Sequence, residues 1–137
     1  MPNAKESLLP RDWFAKAAQD MKRVDALLAI RDEEGAGFHL QQAAEKYLKG
    51  YLLGHGWQLK RTHDLDDLID DAVQVDAHFE TFREACRFSG EFYVSERYPF
   101  PLASVPPRAQ FDAARNQIEE LISYIVQQTP LRKSPRG

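Results

Sequence analysis

Apolar residues recur at three- and four-residue steps along almost the whole chain, and the alternation that marks a strand is hard to find. Pro10 stands where a first helical turn tolerates proline. From there Phe14, Ala17, Met21, Val24 and Leu28 form one stripe, while Lys16, Gln19, Asp20, Lys22 and Arg23 suit a solvent face. Gly35 and Gly37 punctuate a break after Arg31-Asp32-Glu33-Glu34, and a second helix is predicted from about Phe38 to Leu53. Gly54-His55-Gly56 closes it, because glycine takes a left-handed cap cheaply. Leu65, Leu68, Ile69 and Ala72 mark a third, shorter helix with Thr62 or Asp64 as N-cap.

Phe79, Phe82, Cys86, Ser89 and Tyr93 follow a fourth helix, widened by Phe88 and Phe92 and closed by Pro99 and Pro101. Ser104 is the expected cap of a last helix, whose stripe is Phe111, Ala114, Ile118, Leu121, Ile122 and Ile125. Short connections make antiparallel neighbours. The pattern predicts an all-α, antiparallel up-and-down four-helix bundle with an additional short helix, in one domain over residues 1–129. A short basic tail, residues 130–137 with Arg132, Lys133 and Arg136, is expected to fray.

Composition narrows the class. With 137 residues, 43% hydrophobic and 28% charged, the chain can bury one core and stay in water. Its apolar runs fall far short of the roughly 18 residues of a membrane span, and no leader pattern opens it. One cysteine, Cys86, excludes an intramolecular disulfide and an all-cysteine zinc site, so a cytoplasmic location is the expectation. The net charge of -3 argues against a general nucleic-acid coat. Fifteen aromatics are many for one small core (two Trp, five Tyr and eight Phe). Trp57, Phe100 and Tyr98 are therefore candidates for a dimer seam or a pocket, unless they fill the bundle's ends.

The second helix carries the most chemistry. At 100° per residue, Leu40, Ala44, Tyr47, Leu48 and Tyr51 point to the core, while His39, Gln42, Lys46 and Lys49 form a polar stripe. Imidazole, amide and two ammonium groups on one stripe suit a phosphate and the edge of a base. The same stripe also reads as a solvated face with a Glu45–Lys49 pair at i,i+4. Lys60-Arg61-Thr62-His63-Asp64 puts cations and an imidazole before a helix N-terminus, a natural anion site. Seven acids and no Lys or Arg lie from Thr62 to Glu80, a field that repels a long polyanion. Asp66, Asp67, Asp70 and Asp71 read as the exposed face of the third helix rather than metal ligands. His63 reads as a cap or as a hydrogen-bond partner of a neighbouring helix. Glu96-Arg97-Tyr98-Pro99 can aim a guanidinium at a phosphate or carboxylate, or form an ordinary surface pair. His39, His55, His63 and His78 show no zinc-ligand spacing. Cys86, on an apolar stripe, reads as an inert core thiol.

Phe38-His39-Leu40-Gln41-Gln42-Ala43-Ala44-Glu45-Lys46-Tyr47-Leu48-Lys49, then Thr62-His63-Asp64-Leu65, then Arg97-Tyr98-Pro99, resembles the HEPN domain family, over roughly Pro10 to Gln128. The resemblance implies a helical bundle, a homodimer, and a possible nucleotidyltransferase partner within a toxin–antitoxin module. It further implies a nucleotide ligand held by His39, Gln42, Lys46, Lys49, His63, Asp64, Arg97 and Tyr98, with Lys46 and Arg97 on phosphate. No cofactor and no metal are implied. Many members of the family are metal-independent ribonucleases that carry an arginine followed, after four to six residues, by a histidine. Here His39 lies eight positions after Arg31, and no histidine follows Arg83 or Arg87 at the required distance. A non-catalytic domain is therefore expected. The alternatives are a ribonuclease with displaced residues (Arg87 or Arg97 with His39 or His63) and a purely structural module in which Glu45, Lys46, His63 and Asp64 form an interhelical network.

Overall fold

A computed structural model describes residues 6–97 and 106–128, with side chains described as far as Tyr93 in the first stretch. All regular elements among them are helical: α1 (Pro10–Ala29), α2 (Glu33–Leu53), α3 (Leu65–Val75), a 3-10 segment (Ala77–Phe82), α4 (Arg83–Arg97) and α5 (Arg108–Gln128). The expected Ser104 cap, Tyr98 and Phe100 lie outside the described residues, as do Pro99, Pro101 and the basic tail.

Helix α2 is the axis of the bundle. It packs against α1, α3, α4 and α5, and Leu40, Leu48, Tyr51 and Leu52 along it are buried with Phe79, Phe111, Ile118, Leu121 and Ile125. It starts earlier than the glycines suggest. Arg31 takes the left-handed conformation (φ 62°) and reverses the chain. Asp32 then caps the helix by accepting a hydrogen bond from the Gly35 amide at 2.9 Å. Gly37 lies inside the helix for a packing reason: a Cβ there would sit 2.3 Å from the Phe92 ring. Gly50 does the same where Phe14 crosses, with a Cβ 2.6 Å from that ring. Gly37 is thus no break: with Gly50 it lets α4 and α1 approach α2 closely.

Asp64, rather than Thr62, caps α3 by accepting from the Asp66 amide at 3.0 Å. The Thr62 hydroxyl supports it by accepting from the Asp64 amide. Of the two glycines after α2, only Gly56 is left-handed, at φ 82°. The predicted fourth helix divides into two pieces. Asp76 ends α3 and caps the 3-10 segment through the His78 amide, so Phe79 and Phe82 reach the core from a separate turn. Trp57, a candidate for a seam, a pocket or the bundle's end, packs partly buried against the core and donates its indole N–H to Asp71 at 2.9 Å.

Candidate functional site

Two buried carboxylates organise the polar face of α2. Asp20, assigned to the solvent side of α1 from its spacing, is 1% exposed among Phe14, Ala17 and Val24. Its Oδ1 accepts from His39 Nδ1 at 2.8 Å and from Arg23, and its Oδ2 accepts from Lys46 Nζ at 2.5 Å. A buried acid without partners would cost several kcal/mol, and α2 supplies the cation. The sequence does hold a signal for this. Asp20 falls three residues after Ala17 and four before Val24, inside the apolar arc of α1.

The second acid, Glu45, lies inside α2. Lys49 Nζ donates to its Oε2 at 2.9 Å, Gln41 Nε2 donates to Oε1 at 3.2 Å, and His63 Nδ1 sits 3.1 Å from both oxygens. Lys49 is 2% exposed and lies over the Trp13 ring, 5.5 Å from its centroid. Gln41 also donates to the His63 carbonyl at 3.0 Å and accepts from Gln42. Because an ion-paired carboxylate only accepts, the shared proton belongs to Nδ1 in both histidines. Nδ1 of each ring is thereby committed to its carboxylate, which leaves Nε2 as the nitrogen that can face a ligand.

A row of rings joins the two clusters. His63 stacks on Tyr93 (5.0 Å between centroids), Tyr93 on Phe38 (5.9 Å), and Phe38 meets His39 edge-on (5.3 Å). At the His63 end opens a cleft of about 440 Å³ between the start of α3 and α4, lined by Asp64, Asp66, Arg87, Glu91 and Tyr93. Among the described lining residues three acids outnumber one arginine, whose Nε pairs with Asp66 at 2.9 Å. The Asp20 end has the opposite bias, since Lys46 and Arg23 bring two positive charges to one negative.

Asp66, Asp70 and Asp71 of α3 are paired with Arg83, Arg87 and Lys60, and Asp67 accepts from the Thr62 hydroxyl. Burial works against the Asp66 charge, but hydrogen bonds from Arg87 and Arg83 outweigh it and hold the carboxyl below its ordinary range. Asp71 balances burial against Lys60 and Trp57 with the same result. Lys60, a candidate phosphate ligand, is thus committed to Asp71 at 2.7 Å. No group of three metal-type ligands occurs among the described residues. Cys86 is fully buried, and burial pushes its thiol up to about 12, so it is no nucleophile at neutral pH.

Of the eight residues expected at a ligand site, His39, Gln42, Lys46, Lys49 and His63 fall within these two linked clusters. Lys49 is too deep to meet a ligand, so neither it nor Lys46 belongs to a freely solvated face. Asp64 acts as a helix cap beside the cleft. Arg97 ends α4, one turn beyond Tyr93, with its side chain not described, and Tyr98 is outside the described residues. In the proposed network of Glu45, Lys46, His63 and Asp64, only Glu45 and His63 bond each other directly. Asp20, Phe38, Tyr93 and Arg87 join the site without a place in the ligand set expected from sequence. For Phe38 and Tyr93 a signal existed, as aromatics beside the polar motif positions.

The family model for the HEPN domain matches residues 10–128. Among solved structures, the crystal structure of TT1696 from Thermus thermophilus is similar, with 26% identity and a TM-score of 0.70 over 88% of this chain and 98% of that one. A comparison with curated proteins finds no match. No helix among the described residues is long and apolar enough to cross a membrane.

Proposed function

The chain belongs to the HEPN domain family, and from that premise we propose that it is a non-catalytic, dimeric HEPN module that binds a nucleotide across the ring row of α2 and α4. The observation that carries this reading is the row itself, polarised at its two ends. The Asp20 end has spare positive charge for a phosphate, through Lys46, Arg23 and His39. The His63 end has the reverse, with carboxylates that accept and, in the neutral form of His63, an Nε2 that accepts as well. Such an end selects a base bearing an amino group, because only a donor satisfies acceptors. Tyr93 and Phe38 between them offer apolar surface for the base and sugar. Arg97, one turn beyond Tyr93, is a second phosphate contact on this reading. A nucleotidyltransferase bound at the same face is the partner that the family membership favours.

One observation supports the ribonuclease alternative: Arg87 and His63 line the same cleft. The charge there opposes it, since Asp64, Asp66 and Glu91 would repel a phosphodiester backbone. Incubation with RNA in chelator decides the point, because cleavage lost in His63→Ala would replace the non-catalytic reading.

The binding experiment is thermal unfolding against a panel of nucleoside phosphates. A ligand at about 100 times its Kd stabilises a fold by roughly 2.7 kcal/mol, a shift of several degrees at this size. Amino-bearing nucleotides are expected to raise the midpoint, and His63→Gln and Arg23→Gln to abolish the rise. Arg23 is the cleaner probe than Lys46, because it is 51% exposed and its loss leaves Asp20 paired. A flat panel would refute nucleotide binding and leave the face to a protein partner.

A further inference from the structure

On the far side of the bundle a cleft of about 560 Å³ runs between the 3-10 segment and α5. Its floor is aromatic. His78 packs on Tyr124 with ring centroids 4.5 Å apart, and Phe82 lies 5.5 Å from His78 and 6.2 Å from Tyr124. The Tyr124 hydroxyl donates to Asp76, which fixes the ring and places a carboxylate beside it. Along the rim, α5 presents Glu119, Glu120 and Ser123. Glu119 accepts from Arg115 at 3.0 Å, whereas Glu120 has no ion-pair partner among the described residues. No lysine or arginine is among the described residues that line the cleft.

We propose that this cleft binds a basic peptide segment, with an arginine or lysine seated on the Tyr124–His78 floor and paired with Glu120. A cation over an aromatic face and beside a carboxylate gains from both, and a planar guanidinium stacks as well. Length argues for a peptide over a small amine. The lining residues of α5 extend from Asn116 to Gln127, about 16 Å at the helical rise, which matches roughly five extended residues. Asn116 precedes the two carboxylates along this stripe and Ser123 and Gln127 follow them, and all three can bond a peptide backbone. The site is separate from the ring row of α2 and does not depend on nucleotide binding.

The test is titration of the full chain with Ala-Arg-Ala-Lys-Ala-Arg, followed by amide NMR and by anisotropy of a fluorescein-labelled copy. Shifts are expected at Asn116, Ser123 and Tyr124, with affinity that falls as salt is raised. Glu120→Gln should weaken binding about three- to fivefold, the weight of one exposed ion pair. Ser123→Arg, which fills the cleft from its rim, should abolish it. Equal binding of Ala-Gln-Ala-Gln-Ala-Gln, equal binding of spermidine, or shifts spread over Asp66–Asp71 would each overturn the proposal. Self-association that Glu120→Lys abolishes would do so too, because it would give the face to a second copy of the chain.

Discussion

Asp20 and Glu45 each hold one lysine and one histidine, yet they are built differently. Asp20 reaches across the α1–α2 interface, and its cations keep contact with water: the Lys46 side chain is 22% exposed and that of Arg23 51%. Glu45 takes its lysine from its own helix at i,i+4, and Lys49 is buried with it. The same chemical pair is therefore a rim feature in one place and part of the interior in the other. A cation that can turn to water loses little when its acid is removed, whereas a buried one is stranded.

The comparison breaks first at Glu45. Glu45→Ala leaves Lys49 buried without a counter-charge and is expected to cost about 3–5 kcal/mol in urea denaturation. Replacing both partners, as Glu45→Leu with Lys49→Met, should recover most of that loss. If the single and double variants are equally unstable, Lys49 is not the stranded group. Next in size is Gly37→Ala, which forces Phe92 and α4 away from α2 at about 1–3 kcal/mol. By contrast, Gly90→Ala meets open space and should raise helix stability by up to about 1 kcal/mol.

Asp20→Asn comes third, at about 1–2 kcal/mol, because Lys46 and Arg23 reach solvent. A cost equal to that of Glu45→Ala would remove the distinction between the clusters. His63→Ala should cost less than about 1 kcal/mol, as Glu45 keeps Lys49 and Gln41, while nucleotide stabilisation disappears.

The smallest effect concerns acid. Asp66 and Asp71 have folded values below the ordinary 3.8. Their contribution is thus complete well above that value and is lost as pH falls through the folded one. Asp66→Asn should make the decline in denaturation midpoint between neutral pH and pH 3 shallower. An unchanged slope would mean that Arg83 and Arg87 do not hold that carboxyl.

The difference between the clusters also marks what can be read in advance. The i,i+4 relation of Glu45 and Lys49 lies within one helix, so spacing alone names the pair, though not its depth. His63 as a partner of a neighbouring helix is likewise open to a reader of the motif. Asp20 is the harder case: its place in the apolar arc of α1 is a signal, but a single acid on a helical wheel goes to the polar side by default. Only the opposing face of α2, with Lys46 and His39 in reach, makes its burial tolerable. The glycines mislead for a related reason, since a glycine that ends a helix and one that admits a neighbouring ring look identical in one dimension.

The sequence by itself determined the all-helical architecture, the apolar stripes, a start of α3 at Thr62 or Asp64, an end of α2 after Leu53, and the HEPN motif. These depend on periodicity and on side chains acting within a turn or two of their own position. Tertiary structure decided which polar residues are buried, which cations are already paired, and which rings meet. Those outcomes depend on groups far apart in the chain, Asp20 with Lys46, Glu45 with His63 and Phe38 with Tyr93, whose encounter is fixed only when α2 is packed on all sides.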